Sequence, residues 1–126
     1  MIEAARRTGV AAYVGAGDNR WAAVHRLDAA RLNRLALEGA PAGARLHAVA
    51  DEGVPMLEIA QVVARRLGFG AATTIEPVQA GETFGFLAGP LQNDNWVSSA
   101  KTRALTGWTP AGPGLLADLD SAAYFA

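Results

Sequence analysis

The chain has 126 residues, of which 51% are hydrophobic, and its formal net charge is -1. This composition is typical of one small globular domain and excludes a disordered chain. The even charge balance, without a long basic run, argues against nucleic acid and anionic membranes as partners. Because the chain has no cysteine, disulfides and thiolate metal sites are excluded, and a cytoplasmic location is expected.

Helices and short strands alternate along the predicted chain. The first predicted helix lacks an N-cap signal, which suggests that residues are missing upstream. In chain order, the pattern predicts a helix at 2–8, strands at 10–14 and 21–25, a helix at 29–38, a strand at 45–50, a helix at 55–67, a strand at 72–75, and helical segments at 77–87, 98–106 and 115–124. No apolar run reaches the about 18 residues of a membrane-spanning helix. We therefore expect a single domain over residues 1–126, of α/β or α+β class, with few and short strands.

Local signals refine three of these elements. The strands at 10–14 and 21–25 could pair as a hairpin, since the loop between them is short and rich in glycine. Asp28 is a plausible N-cap for the helix that follows it. Ile59, Val63 and Leu67 fall on one face of the helix at 55–67 and predict its buried stripe.

Three segments resemble extended short-chain dehydrogenases of the NAD-dependent epimerase/dehydratase family. Residues 17–32 (GDNRWAAVHRLDAARL) are similar to the family's segment in which a strand ends at His and a helix starts at Asp. Residues 46–50 (LHAVA) with 54–60 (VPMLEIA) resemble a strand and the helix after it. Residues 98–110 (SSAKTRALTGWTP) resemble the D-x-S-K-x-R-x-x-L-G-W-x-P signature near the family's C-terminus, with Thr replacing the usual Leu before Gly-Trp.

The resemblance implies that the chain is the C-terminal substrate-binding lobe of such an oxidoreductase, with the Rossmann half absent. It implies about five to six helices, and a small-molecule substrate contacted by Asn19, Arg20 and Trp21. Arg20 lies one position further from His25 than is common in the family. An alternative for the three residues stays open, namely a loop in which Arg20 is solvated and Trp21 packs on the sheet.

Neither the cofactor nor the catalytic machinery of the parent family can be built from this sequence. NAD(P) is the cofactor in that family, but the one glycine loop here, residues 14–20, has Arg20 at the third glycine position and leads into a predicted strand. The family's Tyr-x-x-x-Lys pair has no counterpart, because Gly17 follows Tyr13 by four residues and the only lysine is Lys101. We expect no catalytic, cofactor-binding or metal-binding residues and a solvated Lys101.

Other candidate residues have structural interpretations. His25 and Asp28 lack the further ligands that a zinc site needs, so His25 is expected to satisfy backbone groups at the strand-helix junction. Ser98 and Ser99 lack a nucleophile elbow and are expected to cap a helix. Trp96 and Trp108 are expected to be core or cleft aromatics.

The sequence therefore predicts a truncated epimerase/dehydratase-like protein that binds no cofactor and is inactive alone. Whether the chain counts as an enzyme stays open. The alternative is a non-enzymatic module that docks on a Rossmann-bearing partner chain. A lobe that has lost its other half should expose apolar surface and unpaired strand edges.

Overall fold

A computed structural model describes all residues, 1–126, and contains six α-helices and four short β-strands. The elements are α1 (Ile2–Thr8), β1 (Ala12–Val14), β2 (Arg20–Ala23), α2 (Arg26–Gly39), β3 (Asp51–Pro55), α3 (Met56–Leu67), β4 (Thr73–Ile75), α4 (Ala80–Phe84), α5 (Ala100–Thr106) and α6 (Leu115–Leu119). This arrangement confirms a small α/β fold with few strands. None of the helices combines the length and apolar character needed to cross a bilayer.

The strands form two separate two-stranded sheets. β1 pairs in parallel with β4, with Ala12 opposite Thr73, whereas β2 pairs antiparallel with β3, with Trp21 opposite Val54. The predicted hairpin between residues 10–14 and 21–25 is therefore wrong. β1 instead lies beside α3, where Ala12 is buried and Tyr13 and Val14 are half-buried, so one face of this parallel pair is covered.

The predicted strand at 45–50 is also wrong, because the strand in this region begins at Asp51. Of the amides in residues 45–50, that of His47 donates to the Thr102 hydroxyl at 2.7 Å and that of Ala50 to the Ala23 carbonyl at 2.8 Å. Apart from this bond of Ala50 to the last residue of β2, no strand pairs with the stretch. A β-type sequence cannot form a strand without such a partner.

The helices follow the predicted pattern most closely where they are buried. Ile59 and Val63 of α3 are buried as predicted, and Leu67 is half-buried. α2 begins at Arg26, three residues before the predicted start, so Asp28 lies inside the helix and is not its N-cap. The predicted helix at 77–87 is a broken one, since short 3₁₀ turns flank α4 on both sides.

The core lies around α3 and is small. One cluster joins Ala12 of β1, Met56 and Ile59 of α3, and Ala80, Phe84 and Leu91; a second joins Ala5, Ala11, Val63 and Ala64. Only 19 of 126 residues are buried, so much of the hydrophobic content remains at the surface. Leu37, Val78 and Phe86 are each about nine-tenths exposed, at 90%, 88% and 89%.

Candidate functional site

Two of the three residues predicted to contact substrate, Asn19 and Trp21, use their side chains to hold the segment 90–95. The Asn19 side-chain amide donates to the carbonyls of Leu91 at 2.9 Å and Asn93 at 3.2 Å. The Trp21 indole N–H donates to the Pro90 carbonyl at 3.3 Å. Both side chains therefore fix a loop that is about 70 residues away in sequence, as their separations of 72, 74 and 69 residues show.

Arg20 makes the strongest of these contacts, a two-pronged ion pair with Asp94. Its Nε lies 2.9 Å from Asp94 Oδ1 and its Nη2 lies 2.6 Å from Oδ2, while its backbone N–H donates to Oδ1 at 2.8 Å. These bonds hold the pKa of Asp94 down at about 2 and raise that of Arg20. The guanidinium is thus neither a free surface charge nor available to a substrate anion while Asp94 stays in place.

Backbone hydrogen bonds also connect β2 to the segment 90–95. The Asn95 N–H donates to the Arg20 carbonyl at 2.8 Å, and the Ala22 N–H donates to the Asn95 carbonyl at 3.1 Å. Asp18, Asn19, Arg20 and Asp94 line a shallow opening of about 410 Å³. The structure thus brings the predicted residues together, but around a protein segment whose next residue is the exposed Trp96.

A second and larger cleft, of about 600 Å³, opens beyond Trp96. It is lined by Arg45, His47, Trp96, Val97, Ser98, Ala100, Lys101 and Thr102. No acidic residue is among them, and neither Arg45 nor Lys101 takes part in an ion pair. Sequence reasoning missed this cleft, because its walls come from segments about 50 residues apart. Only the alternation of Arg45 and His47 on one side of residues 45–50 could have indicated it.

Hydrogen bonds, some of them partly buried, fix the walls of this cleft. Glu52 accepts from the Ser98 hydroxyl at 2.8 Å and from the Ser99 N–H at 3.1 Å. His47 Nδ1 lies 3.1 Å from the Ser98 carbonyl, which can only accept, so that nitrogen carries the proton. Ser99 stands at the N-cap of α5 without a side-chain cap, whereas the Ser98 hydroxyl accepts from the Ala100 N–H at 3.2 Å. The expected capping is therefore met only in part, by Ser98.

The junction between β2 and α2 is built on Asp28. Its carboxylate accepts the backbone N–H groups of Ala111 at 3.0 Å and Gly112 at 2.7 Å, which lower its pKa. Its carbonyl accepts the indole N–H of buried Trp108 at 2.9 Å. The expectation that His25 satisfies backbone groups is wrong for its Nδ1, which is buried without a hydrogen-bond partner.

The glycine loop at residues 15–20 does not fit a dinucleotide. It leads into β2 and not into a helix, and the helix N-terminus that lies against it, that of α3, already donates its Met56 and Leu57 N–H groups to the carbonyls of Asn19 and Gly17, each at 2.9 Å. Gly17 is buried, and a Cβ there would lie 2.6 Å from Tyr13 Cδ2 and 2.9 Å from Leu57 Cβ. The close approach that requires glycine at 17 is therefore to the protein's own side chains.

Two fungal proteins are similar to this chain over nearly all of its length. It is 46% identical to uncharacterized protein C2A9.02 of Schizosaccharomyces pombe over 125 residues, which are 99% of this chain and 42% of that protein. It is 42% identical to uncharacterized protein YLL056C of Saccharomyces cerevisiae over 120 residues, 94% of this chain and 40% of that protein. The chain thus spans about two fifths of the length of these relatives. No protein-family model matches it.

Proposed function

We propose that this chain is the substrate-binding lobe of an extended short-chain dehydrogenase of the epimerase/dehydratase type, and that it does not turn over alone. The dinucleotide and the catalytic pair belong to a Rossmann half outside this chain. The cytoplasm is the proposed location, and a small molecule the proposed substrate.

The observation that carries the proposal is that the three segments resembling the family lock together. Asp28 of the first segment accepts the indole N–H of Trp108 in the third, and its carboxylate accepts the amides of Ala111 and Gly112 directly after that segment. His47 of the second donates to Thr102 of the third, and β2 pairs with β3 between the first and second. Motifs that resemble a family in sequence are thus also the residues that join the parts of this fold.

The surface supports a missing neighbour beside α2. Leu37 is 90% exposed and lines a groove of about 400 Å³ whose lining also includes Ala36, Pro41 and Leu46. The adjoining residues 45–50 have a β-type sequence, but only Ala50 bonds to a strand, and the backbone of Arg45 and Leu46 makes no hydrogen bond. An apolar groove next to backbone groups without partners is the surface that a covering sheet would occupy. The relatives, each more than twice as long as the matched segment, have chain enough to supply one.

The first experiment measures NAD(H) and NADP(H) binding to the purified chain by calorimetry. We expect no heat of binding, because no backbone amide cradle at a helix N-terminus exists in the glycine loop. Micromolar binding would contradict the proposal that the cofactor is bound by a separate Rossmann half, since this lobe would then bind it.

The second experiment supplies the other half in trans. The part of the fission yeast relative outside the matched segment is co-expressed with this chain, and the complex is measured by analytical ultracentrifugation. We expect association, and we expect Leu37→Glu to weaken it at least about tenfold, because a charge would be buried in an apolar contact. Val78→Glu is the matched control, at an equally exposed residue (88%) remote in sequence, and should leave association unchanged.

The outcomes separate the two functions considered for the chain. Association with NAD-dependent turnover supports the enzyme lobe. Association without turnover supports a docking module that is not an enzyme, and absence of association contradicts both.

A further inference from the structure

The cleft beside Trp96 concentrates positive charge, although the net charge of the whole chain is close to zero. The formal net charge is -1, yet Arg45 and the chain's only lysine, Lys101, face one cleft without an acidic residue in its lining. Neither forms an ion pair, whereas five other arginines of the chain do, such as Arg34 with Glu38 at 2.7 Å. Two unpaired cations at one concave surface produce a local positive potential that attracts an anion.

Trp96 gives the same cleft a flat apolar wall. Its side chain is 53% exposed, whereas Trp108 is 1% exposed. The ring is seated over Gly53, where an added Cβ would lie 2.8 Å from Trp96 Cδ1. An indole held in this way at the surface can stack against a planar ring.

The cleft is also preorganised. Ser99 and Thr102 are buried at 0% and 2% exposure. Two hydrogen bonds, from the His47 N–H to the Thr102 hydroxyl and from the Ser98 hydroxyl to Glu52, fix the two walls relative to each other. Its volume, about 600 Å³, lies within the range of about 300–1,000 Å³ that small-molecule sites occupy. Little conformational entropy would therefore be lost in ordering the walls when a ligand binds.

We propose that this cleft binds a small aromatic anion, whose phosphate or carboxylate is held by Arg45 and Lys101 and whose ring stacks on Trp96. The charge and shape of the cleft are the same whether or not the chain is a dehydrogenase lobe, so the site stands apart from the proposed function. The chemistry required of the ligand is one planar ring next to one anionic group.

The test is a titration of the ¹⁵N-labelled chain with phenyl phosphate, followed by the indole N–H resonances of the three tryptophans. We expect the Trp96 resonance to shift and saturate with a Kd on the order of 1 mM, as suits so small a ligand, while that of Trp108 stays fixed. Inorganic phosphate and phenol, which each carry one of the two recognition elements, should bind at least about tenfold more weakly.

Variants separate the charge from the ring. Arg45→Gln and Lys101→Gln should each weaken phenyl phosphate binding about tenfold, whereas Arg34→Gln, which removes the same charge from α2, should not. Gly53→Ala should displace Trp96 and weaken phenyl phosphate without changing the affinity for inorganic phosphate. Unchanged far-UV circular dichroism and urea midpoints establish that each variant folds.

Three results would overturn the assignment. The first is the absence of saturable binding of both phenyl phosphate and benzoate up to about 20 mM, far above the expected Kd. The second is equal binding by Lys101→Gln and the parent chain. The third is a shift pattern that centres on Arg20 and Asp94, since an anion would then have displaced Asp94 from the guanidinium.

Discussion

Substituting alanine for Gly17 tests whether the glycine loop is built for packing or for a ligand. Gly17 and Gly15 share one loop and one left-handed conformation, with φ of 68° and 59°. They differ in what surrounds them, because a Cβ at Gly15 meets nothing within 4 Å whereas a Cβ at Gly17 meets Tyr13 and Leu57. Gly15→Ala is therefore a matched control for the backbone cost alone.

The expected magnitudes follow from these contacts. The left-handed conformation costs alanine about 1–2 kcal/mol at either position. At Gly17, the 2.9 Å approach to Leu57 Cβ adds an overpacking cost of about 1–3 kcal/mol, because that atom is fixed to the backbone of α3. The loop cannot move away from Leu57 without breaking the 2.9 Å hydrogen bond from the Leu57 N–H to the Gly17 carbonyl. Gly17→Ala should thus lower the free energy of unfolding by about 1–3 kcal/mol more than Gly15→Ala does.

Urea denaturation followed by circular dichroism measures this difference. With an m-value of about 1.5 kcal/mol/M, the midpoints of the two variants should be separated by about 0.7–2 M at equal slope. Equal midpoints would refute the packing role of Gly17. The requirement for glycine at position 17 would then lie outside the packing of this chain.

Two further predictions concern the links between distant segments. Because the pKa of Asp94 is about 2 in the folded chain against an ordinary 3.8, the unfolded chain takes up this proton first, so the Arg20 ion pair stabilises the fold above about pH 4 and that contribution disappears towards pH 2. Asp94→Asn should remove this part of the acid dependence seen in urea midpoints at low salt, and an unchanged profile would contradict the pairing. Trp108→Phe, which loses the indole bond to the Asp28 carbonyl and leaves a small void, should destabilise the fold by about 2 kcal/mol in thermal or urea unfolding, whereas a loss below about 0.5 kcal/mol would contradict its role.

Some elements could be predicted because their sequence pattern and their burial in the fold agree. The stripe of Ile59 and Val63 in α3 could be found because helical periodicity and burial agree there, and Gly68 ends the helix with φ of 74°. The segment 45–50 was mistaken for a strand because its residues favour one. Whether such residues pair depends on a neighbour, and propensity carries no information about neighbours.

In the candidate site, too, the sequence does not reveal which distant residue a side chain will contact. Arg20 could be singled out from its motif, but its partner Asp94 is 74 residues away and nothing local distinguishes that aspartate. Asp28 was read as a helix cap because acceptors are favoured at helix starts. Its carboxylate instead binds the amides of Ala111 and Gly112, which only the closed fold brings within reach.

Residues 45–50 connect the two surfaces on which the proposals depend. Arg45 and His47 line the cleft beside Trp96, whereas Leu46, between them, lines the groove next to Leu37. The bonds that fix the cleft walls begin at His47, and the backbone of Arg45 makes none, so a partner strand added to this segment would fix the remaining spacing, that of Arg45 from Lys101. Because an anion held by two cations depends on that spacing, docking at the groove and binding in the cleft should strengthen each other by the same factor. A phenyl phosphate affinity that is identical in the free chain and in the complex would show that the two surfaces act independently.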